Sequence, residues 1–466
     1  MPYLRNVPGW YGDETMTFAV SRELVKGNAI NFSVWNTFWG PFYPYQPLYS
    51  WFCGFFGFLF NGDILGGRFF NALLALAAGY SIFLFGSKVF GKNAAFYSSL
   101  VLLTYFQIIV HYRMCYAHNA AGLGVLLVSI GLLGESCKKN SLLIGIGLGI
   151  SAAAHPLFIY AALGVFFCKF NKPSEWIPIF LPSSIIVLGS LVCSYLRFGN
   201  WVVEDIRDLM QAYGASAQHT NSTAAQIQNI TNFIKIDFFH MGTIAAACIF
   251  FVKKRWSILV VFFTCLILLT KNRANLPVFY YQAILITPTM CLLWAGLMEF
   301  CEQIKNFNFR NFILVLLWSV PVSFGLSNFF KIFDGKLYPL NQYWVTQSCG
   351  EVERAAHWLN QRTTSTDTLA ANENIGWLLK ANAIPYIQMI TWYGFPTQGL
   401  SRNRERFRID ASLENVKYAV IGDIDVRWAF GNDNVNKLPM TIEAEKWPIV
   451  WQGTYYMILS NPRTTN

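Results

Sequence analysis

Residues 140–169, NSLLIGIGLGISAAAHPLFIYAALGVFFCK, contain no acidic side chain and carry a His-Pro pair near their middle. Read as one helix, the stretch is a single long crossing of a membrane. Read as two helices broken at His155-Pro156, it returns the chain to the side from which it came. The choice inverts the orientation of everything downstream. Each half is short, covering roughly 22 Å at 1.5 Å per residue against a hydrocarbon core of ~30 Å. Proline breaks the hydrogen-bond ladder of a helix it enters. Non-helical backbone at membrane depth is tolerated only where it lines a cavity or is buried in protein. The stretch therefore reads as two short helices meeting at AAAHPLF, with a recessed hollow at the break. His155 is a turn residue first, and by position a candidate for the wall of that hollow.

The rest of the chain fits a membrane setting. It has 466 residues, 54% hydrophobic and 13% charged, with a mean hydropathy of +0.36. A soluble chain carries roughly a quarter charged residues. Apolar runs lie at about 66–87, 93–112, 119–135, 140–154, 156–169, 175–195, 237–252, 256–270, 276–299 and 311–330. The fold class is thus an all-α polytopic membrane domain of about ten transmembrane helices over 66–330, with mixed-polarity segments at 1–65 and 331–466. Lys88 and Lys92, Lys138 and Lys139, Lys169 and Lys172, Lys253-Lys254-Arg255, and Lys305 with Arg310 fall in alternate connections. Such basic connections face the cytoplasm. The complementary side, holding 1–65, 113–118, 196–236, 271–275 and the C-terminal segment, is then extracytoplasmic, in a multi-pass plasma membrane protein. The net charge of +10 is explained by these clusters and does not indicate a nucleic-acid partner; membrane lipids are the expected surroundings. Ten cysteines include no CxxC pair, and no metal site is expected.

At the N-terminus, VPGWYGDETMTFAVSRELVKG (7–27) places Asp13 and Glu14 ahead of a helix running to Lys26 and capped by Gly27. Met16, Val20 and Leu24 make one apolar stripe, which suits a helix lying on the membrane surface. Asp13 could simply cap that helix. Acidic residues are scarce, however, and Arg68, His111, Arg113, Lys271 and Arg273 gather on the same side. A carboxylate facing cations suits transfer of a group linked to a lipid phosphate: the carboxylate takes a proton from an acceptor hydroxyl, and the cations hold the departing phosphate. Tyr45 and Tyr49, in an aromatic second interfacial segment, together with His118 and His155, are the candidate cavity residues. Because this topology puts Met1 outside the cytoplasm, one further helix is expected before MPYLRNVPGW.

GWYGDETMTFAVSRELVKG, QPLYSWF, GGRFFNALLALAAG, FGKNAAFYSSLVLLTYFQIIVHYRMCYAHNAAGLGVLLV and ANLPVFYYQAILITPTMCLLWAGL follow one another in an order that resembles glycosyltransferase family 39. These are GT-C fold enzymes using polyprenyl-phosphate sugars, among them protein O-mannosyltransferases and the lipid A aminoarabinose transferase. The resemblance implies that Asp13 is the catalytic base, Glu14 its acidic neighbour, Arg68 the arginine opening the second family helix and Arg113 the basic residue ending the next outward span. It implies an inverting, metal-independent transferase with no cofactor. The donor would be a polyprenyl-phosphate-linked sugar and the acceptor a glycolipid, polysaccharide or protein. Tyr45-Gln46 and His118-Asn119 depart from the family pattern. A lipid-linked glycan transporter and a non-catalytic subunit of the same fold are the competing readings; transporters show repeat-like halves and charges within spans, and this sequence shows no such repeat.

Residues 345–466 read as a small α/β domain. EVERAAHWLNQ has helical spacing, and DTLAANE, YIQMITW, VKYAVIGD, PIVWQ and TYYMILS read as strands. Asp423 and Asp425 mark a strand end.

Overall fold

The computed structural model describes residues 4–6, 10, 12–26, 47–134, 137–200, 202–203, 206–207, 222–235, 238–272, 283–333, 349–386, 389, 392–393, 410–422 and 446–464. The helices run in order α1 (Gly12–Lys26), α2 (Pro47–Leu59), α3 (Ile64–Phe90), α4 (Lys92–Thr104), α5 (Phe106–His111), α6 (Ala117–Leu133), α7 (Lys138–Ala154), α8 (Phe158–Lys169) and α9 (Trp176–Phe198). They continue with α10 (Thr223–Ile234), α11 (Phe238–Val252), α12 (Trp256–Asn272), α13 (Thr287–Glu302), α14 (Phe307–Phe333), α15 (Cys349–Asn360) and α16 (Glu373–Gly376).

The break at His155 is present. The residue is extended, at φ −157° and ψ 140°, and its Nδ1 accepts a hydrogen bond from Leu157 N at 3.1 Å. The imidazole thereby satisfies one of the amides that the start of α8 leaves open. Glu175, just ahead of α9, accepts from Ser141 of α7 at 3.0 Å and pairs with Lys169 at the end of α8. The start of α7, the end of α8 and the start of α9 therefore share one end of the bundle, and α7 and α8 run in opposite directions.

The other basic clusters collect at that same end. Phe90, closing α3, packs on Phe250 of α11 at 5.8 Å, Arg255 lies over the Phe90 ring at 5.1 Å, and Lys253 pairs with Glu299 of α13 at 2.9 Å. α3 and α6 run side by side in one direction, because Asn119 donates to Asn71 at 2.8 Å while Gly67 faces Cys115. Their last turns, with Lys88 and the approach to Lys138, thus come together.

Three helical segments among the described residues are long and apolar enough to cross a membrane, Ile64–Phe90, Pro173–Arg197 and Phe307–Asn328; a bent pair, Thr223–Ile234 with Phe238–Val252, makes a fourth if counted as one span. α4, α6, α7, α8, α12 and α13 are shorter, at 12 to 17 residues. One division was not expected. The run 93–112 is two helices broken at Tyr105, at φ −65° and ψ 131°. The Tyr105 ring packs at a tilt against Phe239, centroids 4.4 Å apart, and its hydroxyl meets His240 Nδ1 at 3.2 Å, while Gly325 of α14 presses on the Thr104 carbonyl so closely that no Cβ would fit. Ile177, Phe180, Leu181, Ile185, Leu188, Val192 and Leu196 of α9 are each more than half exposed, forming an apolar outer face suited to lipid. The chain is a membrane protein.

α1 is not a one-sided surface helix. Glu14 to Ser21 are buried without interruption. α2 covers one side, with Gly54 so close to the Ser21 carbonyl that only a hydrogen fits there. Trp377 of the C-terminal region meets Phe18 on another, ring centroids 5.8 Å apart. The polar residues of this buried turn are satisfied internally, as with Ser21 Oγ donating to Thr17 O at 2.6 Å.

The C-terminal sheet has strands β1 (Thr368–Ala370), β2 (Asn382–Ile384), β3 (Val416–Gly422), β4 (Ile449–Gln452) and β5 (Tyr456–Ser460) in the order β2-β1-β3-β5-β4. β2, β1 and β3 are parallel, and β5 is antiparallel to β3 and β4. Tyr418 and Val420 face one apolar layer, which includes Val352, Ala355, Ala356 and Leu359 of α15, while Ala419 and Ile421 face another. YIQMITW is not a strand. Its described residues are helical, with Met389 N bonded to Pro385 O at 3.2 Å and Tyr393 N to Met389 O at 3.1 Å. Strand β2 ends at Ile384, just before it, and Pro385 follows at the start of the helical turn, where proline's missing amide costs nothing. Asp423 and Asp425 lie outside the described residues.

Candidate functional site

At the end of the bundle opposite the basic clusters, the first turn of α1 is locked to α3. Glu14 is wholly buried and accepts from Arg68 twice, Nε to Oε1 and Nη2 to Oε2, each at 2.7 Å. Its Oε1 also accepts from Cys115 N at 3.0 Å, and Arg68 Nη1 donates to Leu4 O at 3.0 Å. Arg68, too, is fully buried. A fork-to-fork pair of this kind fixes both distance and plane, and it needs every such bond, because a lone buried charge is costly. Gly67 lets the elements close around it: a Cβ there would lie 2.6 Å from Cys115 Sγ and 2.8 Å from the Phe18 ring.

One turn further along α3, Asn71 Nδ2 donates to Tyr49 OH at 2.7 Å. Asn119 donates to Asn71 Oδ1 at 2.8 Å and to the carbonyls of His111 and Met114 at 2.8 and 3.1 Å. This amide relay fixes the 112–116 loop, and with it Arg113, against α3. Burial pushes the Arg113 guanidinium down to about 10, with the charge of Arg68 adding to the effect. It remains charged at neutral pH. Beyond the loop the rings of His111 and Tyr116, then Tyr116 and His118, lie 6.1 Å apart, and those of His118 and His155 lie 4.1 Å apart. The break at His155 therefore faces the same wall as the loop.

The structure thus brings together Glu14, Arg68, Arg113, Tyr49, His111, His118 and His155. Asp13 is the second residue of α1, inside the first turn and not ahead of it. Lys271 stands in the last turn of α12, at this same end of the bundle. Tyr45, Arg273 and Gly27 lie outside the described residues. Glu14 has both oxygens engaged, so it acts as a positioning group for the turn that carries Asp13. Arg68 is likewise held by Glu14, and Arg113 stands on the neighbouring loop. Sequence reading missed Asn71, Asn119 and Cys115 N, since amides and backbone carry no charge pattern. It also missed Arg5, which bonds Asp63 at 2.8 Å and Glu353 at 2.6 Å and so ties α3's N-cap to the C-terminal domain.

No protein-family profile matches this chain, and no curated protein matches it in sequence. Solved structures do match in three dimensions. ArnT from Cupriavidus metallidurans in the apo state has a TM-score of 0.61 at 12% identity, over 99% of this chain and 95% of that one. ArnT bound to undecaprenyl phosphate gives 0.64 at 13% identity over the same shares. The archaeal oligosaccharyltransferase AglB from Archaeoglobus fulgidus, in complex with an inhibitory peptide and a dolichol-phosphate, gives 0.56 at 12% identity, over 91% of this chain and 68% of that one. At such identities the likeness establishes architecture: a helical membrane domain carrying a small C-terminal α/β domain, the GT-C fold of membrane glycosyltransferases.

Proposed function

We propose that this protein is a glycosyltransferase that moves a sugar from a polyprenyl-phosphate-linked donor to a hydroxyl acceptor on the extracytoplasmic side of the plasma membrane. The observation that carries this reading is the buried Glu14–Arg68 pair, which holds the first turn of α1 and therefore Asp13 at the end of the bundle opposite the basic clusters. The lipid phosphates in the ArnT and AglB structures support the donor class. Basic connections face the cytoplasm, which supports an outward site.

In this reading Asp13 takes the proton of the acceptor hydroxyl as its oxygen forms a bond to the anomeric carbon. The bond from that carbon to the phosphate oxygen breaks, and polyprenyl phosphate leaves with the electron pair. Attack from the face opposite the leaving group inverts the anomeric centre. Arg113 meets the phosphate charge as it develops, an effect that is strongest in a site short of water. Purified protein in nanodiscs, given a radiolabelled polyprenyl-phosphate sugar and extracted cell-envelope lipids, polysaccharides or proteins, should release polyprenyl phosphate in step with labelling of an acceptor. Release without labelling of any acceptor, or no release at all, contradicts the reading.

A further inference from the structure

The outer face of α15 has a feature that the transfer site does not use. Gly350, Glu353, Arg354, His357, Trp358 and Gln361 recur at helical spacing on the side away from the buried Val352, Ala355, Ala356 and Leu359. With Trp451 of β4 they line an open groove of about 500 Å³, within the usual size range of ligand sites. The outer face of an amphipathic helix is ordinarily convex and solvated. This one carries a shallow, open groove with two indoles.

Its side chains are braced. Arg362 lies over the Trp358 ring at 4.2 Å, and Tyr418 meets that ring edge-on at 5.5 Å. His357 and Gln361 hydrogen-bond to each other at 2.8 Å, and Glu353 is held by Arg5 at 2.6 Å. The apolar side chains of the lining are the two indoles, and no branched aliphatic residue joins them. With Glu353 held by Arg5, Arg354 is the one guanidinium or ammonium among the lining residues, too little positive charge to favour a polyanion. What remains is a neutral ligand with many hydroxyls. Indole faces are electron-rich and attract the polarised C–H groups of a pyranose face. Guanidinium, carboxylate, imidazole and amide groups suit its hydroxyls.

We propose that this groove binds the saccharide part of the acceptor, an inference resting on the transferase reading above. Its position fits that role. Glu353 touches Arg5, Arg5 touches Asp63, and Asp63 caps α3, the helix that carries Arg68. An oligosaccharide seated in the groove lies beside the end of the bundle where transfer takes place.

The test uses the full-length protein in nanodiscs and saturation-transfer NMR with maltohexaose, chitotetraose, mannotriose and a dextran oligomer. At least one should bind. Trp451→Ala should weaken its binding tenfold or more and Arg354→Ala several-fold, with thermal midpoint and undecaprenyl phosphate binding unchanged. Because Arg354 and Gln361 are exposed, a Arg354→Ala/Gln361→Ala variant serves if Trp451→Ala misfolds. Failure of all four saccharides to bind, binding that neither groove variant weakens, or loss of phosphatidylglycerol-vesicle or peptide binding in the variants instead, overturns the proposal. Asp13→Asn should leave saccharide binding intact. Saccharide binding through Trp451 in a protein that transfers no sugar would sink the transferase reading and leave the groove standing; transfer without saccharide binding would do the reverse.

Discussion

Glu14 follows Asp13 in the first turn of α1. Glu14 is buried with both oxygens engaged, and Arg68 across from it is equally dry. Removing one partner of such a pair leaves the other charge uncompensated, at a cost of about 3–5 kcal/mol. Glu14→Gln is therefore expected to lower the thermal unfolding midpoint sharply in detergent, whereas Arg22→Gln, whose partner Glu23 is the adjacent residue, should change it little. Equal effects in a thermal scan would show that the pair does not hold the turn. The acidic pair could be singled out from sequence because carboxylates are scarce in this chain. That Glu14 meets Arg68 could not, since 54 positions separate them and only the packing of α1 on α3 brings them together. The same holds for the Asn71–Asn119 relay, which orders the loop through neutral amides.

Elements were legible where proline or a charge marks them. His155-Pro156 announces its break through the missing amide of proline, and the basic clusters mark where the helices end. Tyr105 gives no such sign: it breaks its helix because Phe239, His240 and Gly325 crowd it from other helices. YIQMITW misled because a short apolar run fits strand or helix alike, and Pro385 before it tips it into a helix. The stripe read on α1 was real but incomplete, since Glu14 to Ser21 are buried on every side while Arg22, Glu23 and Lys26 keep some exposure. Close packing of α1, α3 and the 112–116 loop converges on Gly67. Gly67→Ala would set a methyl against Cys115 Sγ and Phe18, and overpacking of this kind costs about 1–3 kcal/mol. The loss should appear in thermal unfolding, and an unchanged midpoint would show that the junction is looser than drawn.

At the scale of the whole molecule, the C-terminal domain is held over the site end by Trp377, against Trp10 at 5.1 Å and Phe18 at 5.8 Å, and by the Arg5 bridge. The magnitudes separate these contributions. Arg5, Asp63 and Glu353 are 30–40% exposed, where ion pairs are worth roughly 0–1 kcal/mol; truncating a buried tryptophan costs about 3–5 kcal/mol. Limited proteolysis should release the domain from Trp377→Ala far faster than from Arg5→Ala, and the opposite order would assign docking to the charges. Sidedness has its own measure. Cys137 is exposed and lies just ahead of α7, at the basic end. With the other cysteines replaced, a membrane-impermeant maleimide should label it only after cells are permeabilised; labelling of intact cells would turn the protein over. In the proposed reading Asp13, held by the Glu14–Arg68 turn, is the base for sugar transfer. The most direct measurement is the rate of transfer from a polyprenyl-phosphate sugar by wild type and Asp13→Asn in nanodiscs, with donor binding recorded for both. Loss of the base should lower the rate by about 10²–10⁴-fold, the usual worth of a general base, at unchanged donor affinity. A rate equal to wild type would contradict it.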